Sequence, residues 1–377
     1  MHVVLTGAYG MGNLGDEAIA AMAIRHLLDV VPNPRITLLV WDDTRRWSDA
    51  HRGVDVRALP GLYRHALVRP RLWSGLARAV AAIAGCDVLV WGGGRLVRDR
   101  SVWLREYLWS VRLAAFLHKR IVVLAVGADP ITDPSRRRAL RVLRDADAIS
   151  VRDFASKENL VQAIDGIPPV DVVSDGVFAW PVADRVPPPV PTLGITLRNL
   201  TATGDADVAM PRWLVTLSDV LRSMQRDRPF RIVCLPTATK ELALSRAFCL
   251  LDRDRELVDA RTPGDYLQHL SRCTAFVGMR LHACILASRV RGLPVRCFAP
   301  APKTMDAFRE CGAEASAFTV QDVSTDAFRA SLIRALAGDV ADEPAFTCGA
   351  GKMHPRDWLR SELVKVAATP RARRSPW

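Results

Sequence analysis

Short apolar runs alternate with longer helix-forming segments along most of this 377-residue chain. The runs have the length and β-branched content of buried strands, and the segments between them are long enough to be helices. Because parallel strands are joined by crossover helices, the alternation predicts a parallel β-sheet with helices on both faces. The strands predicted in the first half are His2–Thr6, Ile36–Trp41, Asp87–Trp91, Ile121–Val126, Ala148–Val151 and Val170–Val173.

One proline-rich stretch, residues 183–191, interrupts the alternation and favours a stiff, extended linker. We therefore predict two Rossmann-like domains, an N-terminal one over residues 1–182 and a C-terminal one over residues 192–338. A last segment, residues 339–377, is predicted to hold a helix and a basic tail. The strands predicted in the second domain are Leu193–Leu197, Arg231–Leu235, Ala275–Gly278 and Val295–Phe298. The helices predicted there are Trp213–Gln225, Glu241–Leu251, Tyr266–Cys273, Ala283–Val290, Met305–Cys311 and Thr325–Leu336.

Composition and charge narrow the class of protein. The eight cysteines are scattered, with no Cys-x-x-Cys pair, which favours free thiols in a reducing compartment over disulfides or zinc. The N-terminus has the pattern of a strand and not of a signal peptide, and no apolar run is long enough to span a bilayer, so we predict a cytoplasmic protein. The net charge of +12 is explained either by a solvated basic surface or by an anionic substrate or an anionic lipid surface as partner. No nucleic-acid-binding module is recognisable, so nucleic acid is not an expected partner.

A strand-to-helix corner in the second half carries the most informative side chains. Arg280 and His282 follow the predicted strand Ala275–Gly278, and a predicted helix begins at Ala283. Ligands of open α/β sheets bind at the carboxyl ends of the strands. A guanidinium there can hold a carboxylate or a phosphate, and an imidazole beside it can transfer a proton near neutral pH. A surface arginine and a helix-capping histidine would show the same spacing.

A glycine-rich loop, Gly7–Asp16, connects the first strand to the first helix. Glycines let backbone N–H groups approach a ligand closely, and a helix N-terminus favours anions. Asp16 and Glu17 begin the helix and are also good capping residues. Two interpretations are therefore open: Asp16 caps the helix, or it faces the ligand and accepts or removes the proton of a substrate hydroxyl.

Two further strand ends of the first half carry glycine or charge. Three glycines, Gly92–Gly94, follow the strand Asp87–Trp91, and either a tight turn under the neighbouring helix or a close approach to a ligand explains them. Arg152 follows the strand Ala148–Val151 and is either the ion-pair partner of Asp153 or a second guanidinium for an anion.

Lys303 follows the last predicted strand and is either an exposed loop lysine or a point charge for a phosphate. No metal-ligand cluster, Walker loop or Gly-x-Ser-x-Gly motif is recognisable. The sequence therefore predicts no metal site.

Taken in order along the chain, these motifs resemble those of the polysaccharide pyruvyl transferase family. The resemblance extends from the first strand to about Phe308. The residues that carry it are Gly10–Ala18, Gly92–Leu96 with Asp99, Ser150–Asp153 with Ser156, Ser174 with Asp175, and Arg280–Ala283 with Lys303.

The resemblance implies an α/β fold of two Rossmann-like domains, similar to the architecture of GT-B glycosyltransferases, with the active site in the cleft between the domains. It implies the transfer of pyruvate from phosphoenolpyruvate onto two hydroxyls of a sugar in a surface glycan or its precursor. The products are a cyclic pyruvate ketal and phosphate, and no cofactor is required.

The resemblance also implies roles for individual residues by matched position. His282, as the general acid, and Asp16, as the base or orienting acceptor, are the expected catalytic residues. The residues expected to bind the donor are Arg152, Arg280, Leu281 and Lys303. The residues expected on the acceptor side are Asn13, Glu17, Gly93, Gly94 and Asp99.

The expected partners are phosphoenolpyruvate and a sugar or lipid-linked glycan. The stretch Arg64–Arg78 mixes arginines with apolar residues, and it is either a solvated helix face or a peripheral contact with the inner face of the membrane.

Two other functions remain open. A nucleotide-sugar-dependent glycosyltransferase would share this architecture, although no clear carboxylate for a nucleotide ribose is recognisable in the second domain. A non-catalytic glycan- or anion-binding protein would also share it, although such a protein would have no need of both Arg280 and His282.

Overall fold

The computed structural model describes residues 1–41, 56–62, 73–99, 101–199, 210–299, 302–339, 346–349 and 351–368, apart from the side chains of residues 302 and 303. The contacts among the residues divide the chain into two compact units. Unit 1 comprises Met1–Met11, Asp16–Gly176 and Gly351–Trp377, and unit 2 comprises Gly12–Gly15 and Val177–Ala350.

Unit 1 is built on a parallel sheet with seven strands in the described residues. Its elements are β1 (His2–Thr6), α1 (Leu14–Val30), β2 (Arg35–Val40), β3 (Val56–Pro60), α2 (Trp73–Ala84), β4 (Val88–Gly92), α3 (Leu104–Phe116), β5 (Arg120–Val126), α4 (Pro134–Leu140), β6 (Ala148–Val151), α5 (Phe154–Ala163) and β7 (Val170–Val172). The strand order is β3-β2-β1-β4-β5-β6-β7, and each neighbouring pair is parallel. The direction of winding reverses between β1 and β4, so their carboxyl ends form the switch point where such sheets bind ligands.

Unit 2 repeats this architecture with six strands among its described residues. Its elements are β8 (Thr192–Thr196), α6 (Met210–Asp227), β9 (Arg231–Cys234), α7 (Leu242–Leu250), β10 (Arg255–Leu257), α8 (Pro263–Ser271), β11 (Ala275–Gly278), α9 (Leu281–Ser288), β12 (Val295–Ala299), α10 (Pro302–Glu310), β13 (Ala317–Thr319) and α11 (Asp326–Leu336). The order is β10-β9-β8-β11-β12-β13, again parallel throughout. Its switch point lies between β8 and β11.

The last described helix, α12 (Pro355–Ala368), belongs to unit 1. Trp358 is 2% exposed, and its Nε1 donates a hydrogen bond of 2.8 Å to Asp171 Oδ2 in β7. The backbone N–H of Ser174, just beyond β7, donates to the carbonyl of Met353 at 2.9 Å. The C-terminal segment therefore extends the edge of the first sheet and covers it.

The prediction of two Rossmann-like α/β domains is confirmed. The edge strands β3, β10 and β13 were not predicted, and β10 and β13 have three residues each. Helix α8 begins at Pro263 and not at Tyr266, because the Thr262 hydroxyl accepts the N–H of Asp265 at 3.0 Å and proline is well suited to the first helical position.

The proline-rich stretch 183–191 lies within unit 2, where backbone hydrogen bonds hold it. The N–H of Ala183 donates to Arg289 at 2.8 Å, and the N–H of Val186 donates to Ser271 at 2.8 Å. The contacts change from unit 1 to unit 2 earlier, after Gly176. The proline content predicts the extended conformation of the stretch, but it carries no signal for these long-range bonds.

Candidate active site

At the switch point of unit 2, hydrogen bonds connect the carboxyl ends of the three strands β8, β9 and β11. Thr196 of β8 pairs with Gly278 of β11, and the N–H of Met279 donates to the Thr196 carbonyl at 3.1 Å. The Thr196 hydroxyl donates to the carbonyl of Leu235, just beyond β9, at 2.7 Å and lies 2.6 Å from the Tyr266 hydroxyl. These hydrogen bonds fix the backbone just beyond β8, β9 and β11 and so fix the positions of the residues that follow the three strands.

Arg280 is held in place by a buried carboxylate. It is the N-cap residue of α9, and its Nε donates to Glu241 Oε1 at 2.5 Å while Nη2 contacts the same oxygen. The Glu241 side chain is 1% exposed, whereas that of Arg280 is 20% exposed. The carboxylate thus orients the guanidinium, and one-fifth of the Arg280 side chain stays accessible to a ligand.

Glu241 is in turn held by the loop that follows β9. Its Oε2 accepts the N–H of Thr237 at 3.3 Å, the Thr237 hydroxyl at 3.2 Å and the N–H of Ala238 at 3.2 Å. These donors and the guanidinium compensate for the burial of the carboxylate. Glu241 carries no distinctive sequence signal, because a glutamate at the start of a helix is common and its partner lies 39 residues away.

His282 lies in the first turn of α9 and is half-buried. Its imidazole packs against Gly15, because a Cβ at that position would come within 2.4 Å of His282 Nδ1. The segment Gly12–Gly15 belongs to unit 2, and the N–H of Leu14 donates to the carbonyl of Thr237 at 2.8 Å. His282, this glycine-containing segment and the loop before α7 therefore form one continuous set of contacts.

Two other predicted residues lie in this set. Asn13 Oδ1 accepts the N–H of Gly15 at 3.2 Å, and its backbone forms a bridge with Ala238. Leu281 is the first residue of α9 and is half-buried. Lys303 lies in the first turn of α10, and its side chain is outside the described part of the chain.

The structure adds Arg198 to the candidates. Because Thr196 and Gly278 are paired, Arg198 and Arg280 lie two residues past the paired position on neighbouring strands. Arg198 is half-buried. The sequence signal that would have identified it is an arginine just after the first strand of the second domain, which is where the switch point of such a sheet lies.

In unit 1, the glycines after β4 allow α1 to approach closely. Gly93 and Gly94 have φ values of +78° and +73°. A Cβ on Gly93 would lie 2.0 Å from Ile19 Cγ2, and one on Gly94 would lie 2.7 Å from Asp16 Oδ1. The structure therefore shows the tight turn under the neighbouring helix, and it places Asp16 beside that turn.

Asp16 and Glu17 both lie in the first turn of α1. Glu17 is 3% exposed, and Asp16 is half-buried. Burial and the Asp16 carboxylate raise the pKa of Tyr107, whose hydroxyl donates to Met11 Sδ at 3.3 Å. Tyr107 therefore stays a neutral donor near a carboxylate.

Arg152 and Asp99 both have partners within unit 1. Arg152 is 12% exposed and lies 3.4 Å from Asp153 and 3.3 Å from Asp175. These two contacts agree with the interpretation of Arg152 as the ion-pair partner of Asp153. Asp99 accepts the Thr132 hydroxyl at 2.5 Å, and this hydrogen bond lowers the pKa of Asp99. The donor role of Arg152 and the acceptor role of Asp99 stay predictions.

The stretch Arg64–Arg78, which is either a solvated helix face or a membrane contact, falls largely outside the described residues, which resume at Trp73, and Arg78 is exposed on α2. In the part that the structure describes, no helix is both long and apolar enough to cross a bilayer. Within the same residues, no three His, Cys, Asp or Glu side chains are grouped so that they could hold a metal ion.

Comparisons with known proteins give one sequence match and many structural ones. A family model described as polysaccharide pyruvyl transferase matches residues 13–291. A search of curated protein sequences found no match. The UDP-GlcNAc 2-epimerase of Methanocaldococcus jannaschii is 11% identical, with a TM-score of 0.60 over 97% of this chain and 100% of that one. The UDP-GlcNAc 2-epimerase of Neisseria meningitidis, solved with UDP-GlcNAc bound, is 12% identical, with a TM-score of 0.59 over 97% and 100%. At such identities these structures show the fold alone, which is GT-B-like.

Proposed function

Because this chain belongs to the polysaccharide pyruvyl transferase family, we propose that it transfers the pyruvyl group of phosphoenolpyruvate to two hydroxyls of a sugar. The products would be a cyclic pyruvate ketal and phosphate. The observation that carries the proposal is the guanidinium of Arg280, oriented by Glu241, beside His282 at the start of α9. A fixed cation next to a proton donor suits a small anionic enol phosphate.

The donor would bind where several positive groups converge. Arg280 would pair with the carboxylate or the phosphate of phosphoenolpyruvate, and the N-terminus of α9 favours the same charge. Arg198, on the neighbouring strand end, would provide a second guanidinium. Leu281 and Lys303 stay proposed donor contacts, as does Arg152, which is already paired with carboxylates.

His282 would act as the general acid. As an imidazolium it would donate a proton to the methylene carbon of the donor, and the adjacent carbon would become an oxocarbenium-like electrophile. One sugar hydroxyl would add to this carbon and lose its proton, with Asp16 as the proposed acceptor. The second hydroxyl would then displace phosphate and close the ketal. The donor supplies both the electrophile and the leaving group, so the proposed reaction needs no cofactor.

The first test is phosphate release from phosphoenolpyruvate by the purified protein with a panel of aryl glycosides. The expected result is phosphate release matched by a sugar that gains one pyruvyl ketal by mass. Transfer from a UDP-sugar without use of phosphoenolpyruvate would instead identify a glycosyltransferase. Binding of phosphoenolpyruvate or glycans without any turnover would identify a non-catalytic protein.

The second test separates binding from chemistry. Arg280→Ala should weaken phosphoenolpyruvate binding by about 10- to 100-fold, because it removes a charge-assisted pair. His282→Asn should keep binding and lower the turnover rate by about 100-fold or more. Arg291→Ala and His269→Asn are the matched controls, since Arg291 is 76% exposed in a surface ion pair and His269 lies at the C-terminal end of α8. Unchanged donor affinity in Arg280→Ala would refute the assigned anion site.

A further inference from the structure

Three neighbouring helices of unit 1 form one layer on the same side of its sheet. Helices α2, α3 and α4 make the crossovers from β3 to β4, from β4 to β5 and from β5 to β6, which all run in one direction along the strand order. Because such crossovers are right-handed, the three helices lie on one face of the sheet. Helix α3 packs against both neighbours, and Arg112 Nη2 donates to the carbonyl of Ala139 in α4 at 3.4 Å. The outward sides of the three helices, with Arg141 directly after α4, therefore form one surface, the α2–α4 face.

Large apolar side chains project from the α2–α4 face into solvent. Phe116 is 79% exposed and Trp73 is 57% exposed. The exposed residues of α3 recur at spacings of three and four, which places them along one side of the helix. They are Arg105, Trp109, Arg112 and Phe116. This side of α3 therefore alternates arginine with aromatic residues, whereas the solvent face of an ordinary surface helix is polar throughout.

The exposed charges of the α2–α4 face are all positive. Six exposed arginines lie on it: Arg78, Arg105, Arg112, Arg137, Arg138 and Arg141. Among the described residues, none of the six forms an ion pair with a carboxylate. The three helices contain one acidic residue, Glu106, and it is 7% exposed. The face therefore keeps its positive charge beside its aromatic side chains.

Exposed arginines of unit 2 differ in this respect. Arg222 lies 3.2 Å from Asp219, and Arg231 lies 3.0 Å from Glu256. Arg309 pairs with two carboxylates. The arginine-rich composition of the chain therefore does not by itself explain a face on which the guanidinium groups have no acidic partners.

We propose that the α2–α4 face is a docking surface for an anionic lipid membrane, with its arginines at the lipid phosphates and Trp73, Trp109 and Phe116 in the headgroup region. Arginine pairs with phosphate while its apolar stem stays in the interface. Tryptophan is favoured at the level of the headgroups, and an exposed phenylalanine gains by entering the acyl boundary. Each arginine close to an anionic surface strengthens the binding about fivefold.

Two other partners fit the face less well. A second copy of this chain in a two-fold interface would bring the same unpaired arginines against each other. A nucleic-acid duplex would accept the arginines, but its phosphate backbone offers no apolar region for Phe116. An anionic membrane satisfies both the charge and the apolar side chains.

Docking at this face brings the membrane to the edge of unit 1 where Asp16 lies. Helix α3 connects β4 to β5, so it begins at the carboxyl ends of the strands, where the turn Gly92–Gly94 approaches Asp16. Val102, just before α3, is 74% exposed at that edge. A lipid-linked glycan in the membrane is thereby presented on the side assigned to the acceptor, and this consequence alone rests on the proposed function.

Vesicle sedimentation of the purified full-length protein tests the surface. Vesicles of phosphatidylcholine are compared with vesicles in which phosphatidylglycerol replaces part of the phosphatidylcholine. We expect binding to the anionic vesicles alone, and we expect it to weaken as salt screens the arginines. Equal binding to both kinds of vesicle, or no binding to the anionic ones, would overturn the proposal.

Two matched variants locate the binding on the molecule. The first removes one arginine from each helix of the face, by Arg78→Gln, Arg105→Gln and Arg138→Gln. It should bind anionic vesicles about 100-fold more weakly, since each lost arginine costs about fivefold. The second removes the same charge from unit 2, by Arg222→Gln, Arg231→Gln and Arg309→Gln, and it should bind nearly as well as the native protein. Equal losses in the two variants would show that total charge, and not this face, binds the vesicles.

Phe116→Ser tests the apolar part of the contact. The side chain is 79% exposed, so its loss leaves the core intact and should weaken vesicle binding by about 10-fold. A dimer in sedimentation equilibrium that Phe116→Ser dissociates would instead identify an interface between copies. Tighter binding to duplex DNA than to anionic vesicles would identify a nucleic-acid surface, and either result would overturn the proposal. None of these measurements needs phosphoenolpyruvate, so a failure of the proposed function would leave them intact.

Discussion

Glu241 determines how Arg280 is presented at the end of its strand. An unpaired arginine at a helix N-cap would sample many rotamers, and binding would have to restrict them. The bond of 2.5 Å from Arg280 Nε to Glu241 Oε1 restricts the side chain before any ligand arrives. The carboxylate is restricted in turn by Thr237 and Ala238. At the residue scale, the candidate site is therefore preorganised.

Glu241→Gln tests this preorganisation. The amide keeps the shape of the side chain but removes the charge that orients the guanidinium, so we expect phosphoenolpyruvate affinity to fall by about 10-fold. Isothermal titration calorimetry measures the effect. Glu256→Gln is the control, because Glu256 forms an exposed ion pair with Arg231 and its loss should change little. Equal affinities in both variants would show that Glu241 has no orienting role.

His26 is a buried titratable residue that the proposed reaction does not use. It is 3% exposed on α1, lines a cavity of about 10 Å³, and neither ring nitrogen has a hydrogen-bond partner among the described residues. Its ring meets that of His354 at 5.2 Å between centroids. Burial, and then the charge of His354, lowers the pKa of His26 from 6.5 to about 4. The folded state therefore resists its protonation.

The stability of the protein should consequently depend on pH through His26. Between pH 6.5 and about 4 the unfolded chain binds a proton that the folded chain does not, so stability is present above pH 6.5 and falls as the pH falls. The contribution of this group is roughly 3 kcal/mol across the window. Urea titrations at several pH values should show a smaller loss of stability in acid for His26→Leu than for the native protein. Parallel pH profiles for the native protein and His26→Leu would contradict the assignment.

At the scale of elements, the contact between α1 and the turn after β4 requires glycine. Gly93→Ala would place a Cβ 2.0 Å from Ile19 Cγ2 at a φ of +78°. We expect the free energy of unfolding to fall by about 3 kcal/mol, since strain in the left-handed region and overpacking add. Gly166→Ala has a similar φ, +69°, but meets nothing within 4 Å, so it should cost only about 1 kcal/mol. Urea titrations of both variants give the comparison, and equal losses would argue against the clash.

Two of the three strands that were not predicted, β10 and β13, share a physical reason. Strands β10 and β13 have three residues each, and periodicity cannot be recognised over so short a run. Their conformation depends on pairing, as Leu257 with Cys234 and Phe318 with Phe298 show. Apart from β3, the longer strands and most helices carry their own apolar pattern, and the alternation predicted them to within a few residues.

At the scale of the whole molecule, the C-terminal segment returns to complete unit 1. Trp358, Leu359 and Leu363 of α12 are buried, and Trp358 also bonds to Asp171. Trp358→Ala should lower the free energy of unfolding by about 3 to 5 kcal/mol, because it leaves a large cavity. Trp73→Ala, which removes a tryptophan that is 57% exposed, should be nearly neutral. Thermal unfolding followed by circular dichroism distinguishes them, and an equally mild effect at Trp358 would mean that α12 contributes little to unit 1.

The sequence by itself determined the two parallel-sheet domains, the family resemblance and the strand-to-helix connections where Asp16, Arg152, Arg280 and His282 lie. Those features depend on local apolar periodicity and on residue types at fixed spacing, which a linear pattern records. Only the tertiary structure paired Arg280 with Glu241 and placed Gly15 against His282. Each of these contacts joins residues far apart in the chain, and packing selects them from many equivalent charges and glycines.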